Sequence, residues 1–182
     1  MLEAAGVAHE AMAPHVDEDA AKASLATLPP RDLADALAEL KALKVARMRP
    51  EALVLGCDSV VALADGSLLD KPVDRADAAA HLQRMSGSTH DLWSACVLAE
   101  HGAVSWRHVE RARMHVRPLS EAFITAYLDA EWPAIAGSVG CYHVEGRGAQ
   151  LFAAIEGSQF TVMGLPLLAL LAHLRVRGLL VS

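Results

Sequence analysis

Asp58 follows a short, continuously apolar run, Ala52-Leu53-Val54-Leu55-Gly56-Cys57, of the kind that forms a strand buried on both faces. A carboxylate at the carboxyl end of such a strand sits where open α/β sheets bind ligands. There it can hold a divalent cation or take a proton from water; capping the next turn is the alternative. Lys71 stands across a hairpin expected from Val60-Val61-Ala62-Leu63, the turn pair Asp65-Gly66 and Ser67-Leu68-Leu69. Its ammonium would meet a phosphate as a compact point charge, although a solvated surface lysine is the ordinary state. Lys41 lies on the helix that feeds the Asp58 strand, with Lys44 close by, and periodicity does not say which of the two turns inward. Asp17-Glu18-Asp19 offers hard oxygen ligands suited to magnesium or manganese, and equally the acidic start of a helix.

Other chemistries have less support. The nine histidines show no HExxH spacing, Gly56-Cys57-Asp58 is not a nucleophile elbow, and no serine or cysteine is locally marked for covalent hydrolysis. Gly137-Ser138-Val139-Gly140 and Gly146-Arg147-Gly148 could bring backbone amides to phosphate oxygens, but without a Walker or dinucleotide pattern. The net charge of −6 repels an extended phosphate backbone and argues against a long nucleic acid as partner. A small anion is not excluded, because a few lysines or one metal ion reverse the local potential. Cys57, Cys96 and Cys141 are odd in number and widely spaced, as reduced thiols of a cytoplasmic protein would be.

The elements that must position these groups follow from local pattern. At 182 residues and 53% hydrophobic content the chain is expected to form one domain spanning residues 1–182. The opening Met1 to Gly6 reads as a helix end with a glycine cap, which implies that a strand and loop are missing before it. Leu28 to Arg49 has helical spacing, starts at Pro29-Pro30 and stops before Pro50. Asp74 caps a helix from Arg75 to Met85 that ends at Ser86-Gly87. Residues 92–99, 103–110 and 111–116 carry the β-branched and apolar content of three strands. A helix is expected near Ser120 to Ala130 and another in the apolar tail from Phe160 to Val181. Gly164, Pro166, His173, Arg175 and Arg177 break that tail too often for a membrane span. The fold class expected is α/β with a mixed sheet.

The ordered series Lys41-Ala42, Gly56-Cys57-Asp58-Ser59-Val60-Val61, Lys71-Pro72 and Ser86-Gly87-Ser88-Thr89-His90 resembles the Maf family of nucleotide pyrophosphatases. Tyr127-Leu128, Glu131-Trp132-Pro133, Ala136-Gly137, Glu145-Gly146-Arg147-Gly148-Ala149 and Val162-Met163-Gly164-Leu165-Pro166-Leu167 extend the resemblance over nearly the whole chain.

That resemblance implies a two-lobed fold like that of inosine triphosphatases, with a central cleft. It further implies hydrolysis of modified or non-standard nucleoside triphosphates to a monophosphate and pyrophosphate, with magnesium or manganese as cofactor and a homodimer as an admissible assembly. By position, Asp58 would be the catalytic carboxylate and a metal ligand, with Asp17 and Glu18 matching the family's acidic pair. Lys41 and Lys71 would bind phosphates, Ser59 replaces a threonine beside the catalytic carboxylate, and Glu145 replaces a glutamine near the base. Since ionised glutamate only accepts hydrogen bonds, base preference is expected to differ. The family ordinarily opens with a strand and Ser-x-Ser-x-Arg-Arg, and Met1-Leu2-Glu3 begins after that position. Two charge-assisted phosphate contacts, at about 1.5–3 kcal/mol each, would be lost. A nucleotide-binding regulator of cell division and an impaired pseudoenzyme are therefore the competing readings.

Overall fold

The structure is a computed structural model and describes residues 1–181. Five strands, β1 (Val54–Leu63), β2 (Leu68–Leu69), β3 (Thr89–Glu100), β4 (Ala103–Val116) and β5 (Phe152–Glu156), form one sheet in the order β2-β1-β3-β4-β5. The helices are α1 (Glu18–Ser24), α2 (Pro30–Met48), α3 (Arg75–Met85), α4 (Glu121–Glu131), α5 (Gln159–Val162) and α6 (Leu167–Val176). The α/β class expected from the sequence is the class observed.

Three local expectations change. The strand expected to end before Asp58 runs five residues past it to Leu63, so Asp58 lies within β1 rather than at its carboxyl end. The apolar run Val60-Val61-Ala62-Leu63 continues the same strand, since nothing between it and Cys57 breaks the extended backbone. Residues 103–116 form a single strand, β4, in place of two. The apolar tail divides into α5 and α6 because Gly164, at φ 95, leaves helical geometry and Pro166 follows it. The hairpin forms as read: Val61 pairs with Leu69 and Ala62 with Leu68, antiparallel. Strand β5, antiparallel to β4, was not legible in advance.

The chain falls into two compact units. One comprises residues 1–59, 93–110 and 158–182, the other 60–92 and 111–157. In the first, α1 packs on α2 and α5 on α6. Its core gathers Cys96, Leu98, Leu165, Leu167, Leu170 and Leu174, flanked by Leu53, Leu55, Cys57, Trp106 and Phe160. Gly6 adopts the left-handed conformation after a short 3-10 turn, Glu3–Ala5, which is the glycine cap expected there. In the second unit α3 packs on α4, an arrangement held at the surface by Arg75 and Asp129. Asp74 caps α3 through the Asp77 amide and Ser120 caps α4 through Phe123; such caps stabilise a helix by about 1 kcal/mol each.

Several buried polar groups in the second unit find partners there, although His90 Nδ1 has none. His90 Nε2 meets the Tyr142 hydroxyl at 3.0 Å, Phe152 stands edge-on to Tyr142, and the Tyr127 hydroxyl donates to the Cys141 carbonyl at 3.0 Å. A Cβ on Gly140 would fall 2.3 Å from the Tyr142 ring, and one on Gly148 2.5 Å from the His143 carbonyl oxygen. Close packing within the loop is thus a sufficient reason for glycine at both positions. Among the described residues no helix is long and apolar enough to cross a membrane, and all three cysteines are free thiols.

Candidate active site

Gly56 decides how closely helix α2 approaches strand β1. A Cβ at this position would lie 2.3 Å from the Ala38 carbonyl oxygen, 2.6 Å from the Ala42 amide nitrogen and 2.8 Å from the Ala42 Cβ. All three distances are shorter than any tolerated contact. Ala34, Ala38, Ala42 and Ala46 are wholly buried along the same face of α2. Small residue against no side chain therefore brings backbone to backbone. Lys41 flanks this seam, while Lys44 points to solvent, which answers the question that helical periodicity left open.

The Lys41 ammonium lies 2.5 Å from Asp58 Oδ1 and 2.8 Å from Glu18 Oε1. The Lys41, Asp58 and Glu18 side chains are 17%, 9% and 35% exposed, respectively. Glu18 sits in the first turn of α1, whose amino end is capped by Asp17 through the Ala20 amide at 3.0 Å. Asp17 is exposed, so its acid function here is to start the helix that carries Glu18 inward. Of the three carboxylates that the resemblance pointed to, Asp58 and Glu18 converge on one ammonium and Asp17 caps the helix that carries Glu18.

Burial pushes the Asp58 carboxyl above its usual range, and the hydrogen bond and charge of Lys41 only partly offset it; Lys22 lowers it further and Glu18 raises it. Burial alone would lower Lys41, but its hydrogen bonds to Asp58 and Glu18 outweigh that and its pKa is raised. Cys57, next in the strand, is pushed up to about 12, chiefly by burial, so its thiol stays protonated and is no nucleophile. Lys22, on the same face of α1 as Glu18 and half-buried, belongs to the electrostatics of the site. The i, i+4 spacing of Glu18 and Lys22 was the sequence signal that could have found it.

Ser59 turns its hydroxyl toward Ser94 of β3, at 2.8 Å. Lys71 is exposed on the segment between β2 and α3, and Glu145 is exposed beside the 3-10 turn Arg147–Leu151. Both belong to the second unit, whereas Asp17, Glu18, Lys41, Asp58 and Ser59 belong to the first.

Among the described residues no group of three or more His, Cys, Asp or Glu side chains is arranged to hold a metal ion. The donors present nevertheless suit a hard cation. Glu18 and Asp58 already share one positive charge, and magnesium is commonly held by one or two carboxylates with water and substrate phosphates completing its shell.

The half-buried Lys41 of α2 thus lies between Asp58 on β1 and Glu18 on α1, and a cation beside a shielded carboxylate is the kind of arrangement that can meet an anion and accept a proton. The family model described as Maf-like protein matches residues 1–177, and the chain belongs to that family. It is 50% identical over 181 residues to a nucleoside triphosphate pyrophosphatase of Sphingopyxis alaskensis, covering 98% of this chain and 91% of that protein. A nucleoside triphosphate pyrophosphatase of Caulobacter vibrioides is 50% identical over 182 residues, covering 99% and 90%. A 7-methyl-GTP pyrophosphatase of Mesorhizobium japonicum is 48% identical over 180 residues, covering 98% and 90%.

Proposed function

We infer that this protein is a nucleoside triphosphate pyrophosphatase, hydrolysing the bridge between the α and β phosphorus atoms to give a nucleoside monophosphate and pyrophosphate. The observation that carries the reading is the Lys41 ammonium seated between Asp58 and Glu18, in a chain half identical to proteins named for that reaction.

The geometry suggests an order of events. In the free protein the Asp58 oxygen that would accept a proton is covered by Lys41. A triphosphate offers Lys41 a competing anion, and an ammonium drawn to it uncovers Asp58. The exposed carboxylate then takes the proton of the attacking water as the new phosphorus–oxygen bond forms and the bridging bond breaks, releasing pyrophosphate. A carboxylate whose pKa is raised by burial is a better acceptor than one in water. Lys41 would offset charge that develops on the phosphates, and Lys71 is proposed as a phosphate-binding residue from its place in the motif series alone.

Asp58 and Glu18 are the residues proposed to hold magnesium or manganese; Asp17, the third carboxylate of the resemblance, caps the helix that carries Glu18. Such an ion, when bound, polarises phosphoryl oxygens and lowers the pKa of water. Ser59 and Glu145 are proposed near the substrate, and the cytoplasm as the compartment, in keeping with three free thiols.

The test is pyrophosphate release from a panel of standard and base-modified nucleoside triphosphates, 7-methyl-GTP among them, with magnesium or with manganese. Turnover of at least one triphosphate, abolished by chelation, is expected. Nucleotide binding without any pyrophosphate release would overturn the assignment.

A further inference from the structure

The Ser59 hydroxyl lies next in sequence to Asp58, yet it faces away from the Lys41 cluster toward two buried groups. Ser94 Oγ, wholly buried, is 2.8 Å from Ser59 Oγ and 2.8 Å from the Thr161 carbonyl oxygen. A hydroxyl carries one proton. Ser94 donates its proton to the carbonyl, so the bond between the two serines is donated by Ser59. With its proton committed inward, Ser59 can accept a hydrogen bond from a ligand but has none to give to a phosphate oxygen. The chain continues: Thr161, also wholly buried, donates its hydroxyl to Glu110 Oε2. Gly164 closes the same corner, since a Cβ there would lie 3.4 Å from Ser59 Oγ.

These contacts join β1, β3, β4 and the α5 turn at the residue beside Asp58. The chain ends on a backbone carbonyl and a separate carboxylate, so it cannot relay a proton from Ser59 to Glu110. Its chemistry is orientation. We propose that Ser94 and Thr161 are positioning residues for the pyrophosphatase reaction, acting through Ser59 to hold the Asp58 segment of β1 in the register that meets Lys41. This rests on the functional reading above. It also gives the Val162-Met163-Gly164 motif, remote in sequence, a reason to be linked to the site.

A double-mutant cycle tests the proposal. Ser94→Ala is expected to lower kcat about tenfold with KM changed less than twofold, and Ser94→Thr, which keeps the hydroxyl, to restore kcat to within about threefold. Because both serines act through one bond, Ser59→Ala with Ser94→Ala should be no slower than the slower single variant. Multiplying losses, or a Ser94→Ala variant with unchanged kcat, would overturn it. If the wild-type chain released no pyrophosphate, the functional reading would fail by itself. The same cycle measured by urea unfolding would still decide whether Ser59 and Ser94 are coupled, additive losses refuting the brace.

Discussion

Lys41 carries two opposed duties in one atom. Its ammonium bridges Asp58 and Glu18, and under the proposed reaction it would have to release Asp58 when phosphate arrives. Removing it takes the hydrogen-bonded cation from Asp58, whose side chain is only 9% exposed, and breaking a buried pair of this kind typically costs about 3 kcal/mol or more. Lys41→Gln should therefore unfold at markedly lower urea and lose most turnover. Asp58→Asn keeps shape and volume but cannot take a proton, so kcat should fall at least about 100-fold with nucleotide affinity largely kept, as calorimetry against single-turnover kinetics would show.

The pH dependence has a definite sign. Asp58 must be ionised to act as base, and burial raises its pKa, so the acidic limb of kcat should lie above the ordinary aspartate range near 3.8. In Lys41→Gln that limb should move higher, because burial is then unopposed by the ammonium. A limb that stays in place in the variant would show that another group is titrating.

At the scale of elements the site depends on an absent side chain. Gly56→Ala would force α2 off β1, since Ala38 and Ala42 present backbone and a Cβ rather than a flexible tip. Overpacking of this kind costs about 1–3 kcal/mol. Here it should also lengthen the Lys41–Asp58 contact, so turnover should fall further than stability explains, measurable as lost kcat at a temperature where the variant remains folded.

Much of this level was legible in the sequence. The α2 helix between its prolines, the Asp65-Gly66 hairpin, the Asp74 cap and the ordered motif series all rest on contacts a few residues apart or on the family pattern. What escaped notice was nonlocal or unmarked. Apolar residues continue through Val60 to Leu63, so nothing in composition placed Asp58 mid-strand rather than at an end. The partners of Ser59 lie 35 residues away at Ser94 and, beyond it, another 67 at Thr161, distances over which no periodicity speaks. The choice between Lys41 and Lys44 needed the glycine-on-alanine seam, whose effect appears only when helix and strand are packed.

For the whole molecule, acid should act on the second unit through His90. Burial lowers its pKa from 6.5 to about 4, so the folded state disfavours the proton that the unfolded chain accepts. The stabilisation is complete above 6.5 and is lost as pH falls toward 4, a loss of about 3 kcal/mol by linkage. Urea unfolding at pH 7.5 and 4.5 should show that difference, and His90→Gln should reduce it. Asp91 acts in the same direction lower on the scale. Its hydrogen bonds from Arg113 hold its carboxyl below 3.8, so that contribution is present above 3.8 and lost below it.

Asp58 is proposed to accept the proton in a cleavage between the α and β phosphorus atoms. Phosphorus NMR of a nucleoside triphosphate turned over with magnesium or manganese reads it most directly, comparing wild type with Asp58→Asn. Monophosphate and pyrophosphate in equal amounts are expected from the wild-type protein, and the same products at least about 100-fold more slowly from the variant. A diphosphate with inorganic phosphate, or an Asp58→Asn protein that turns over at the wild-type rate, would contradict it.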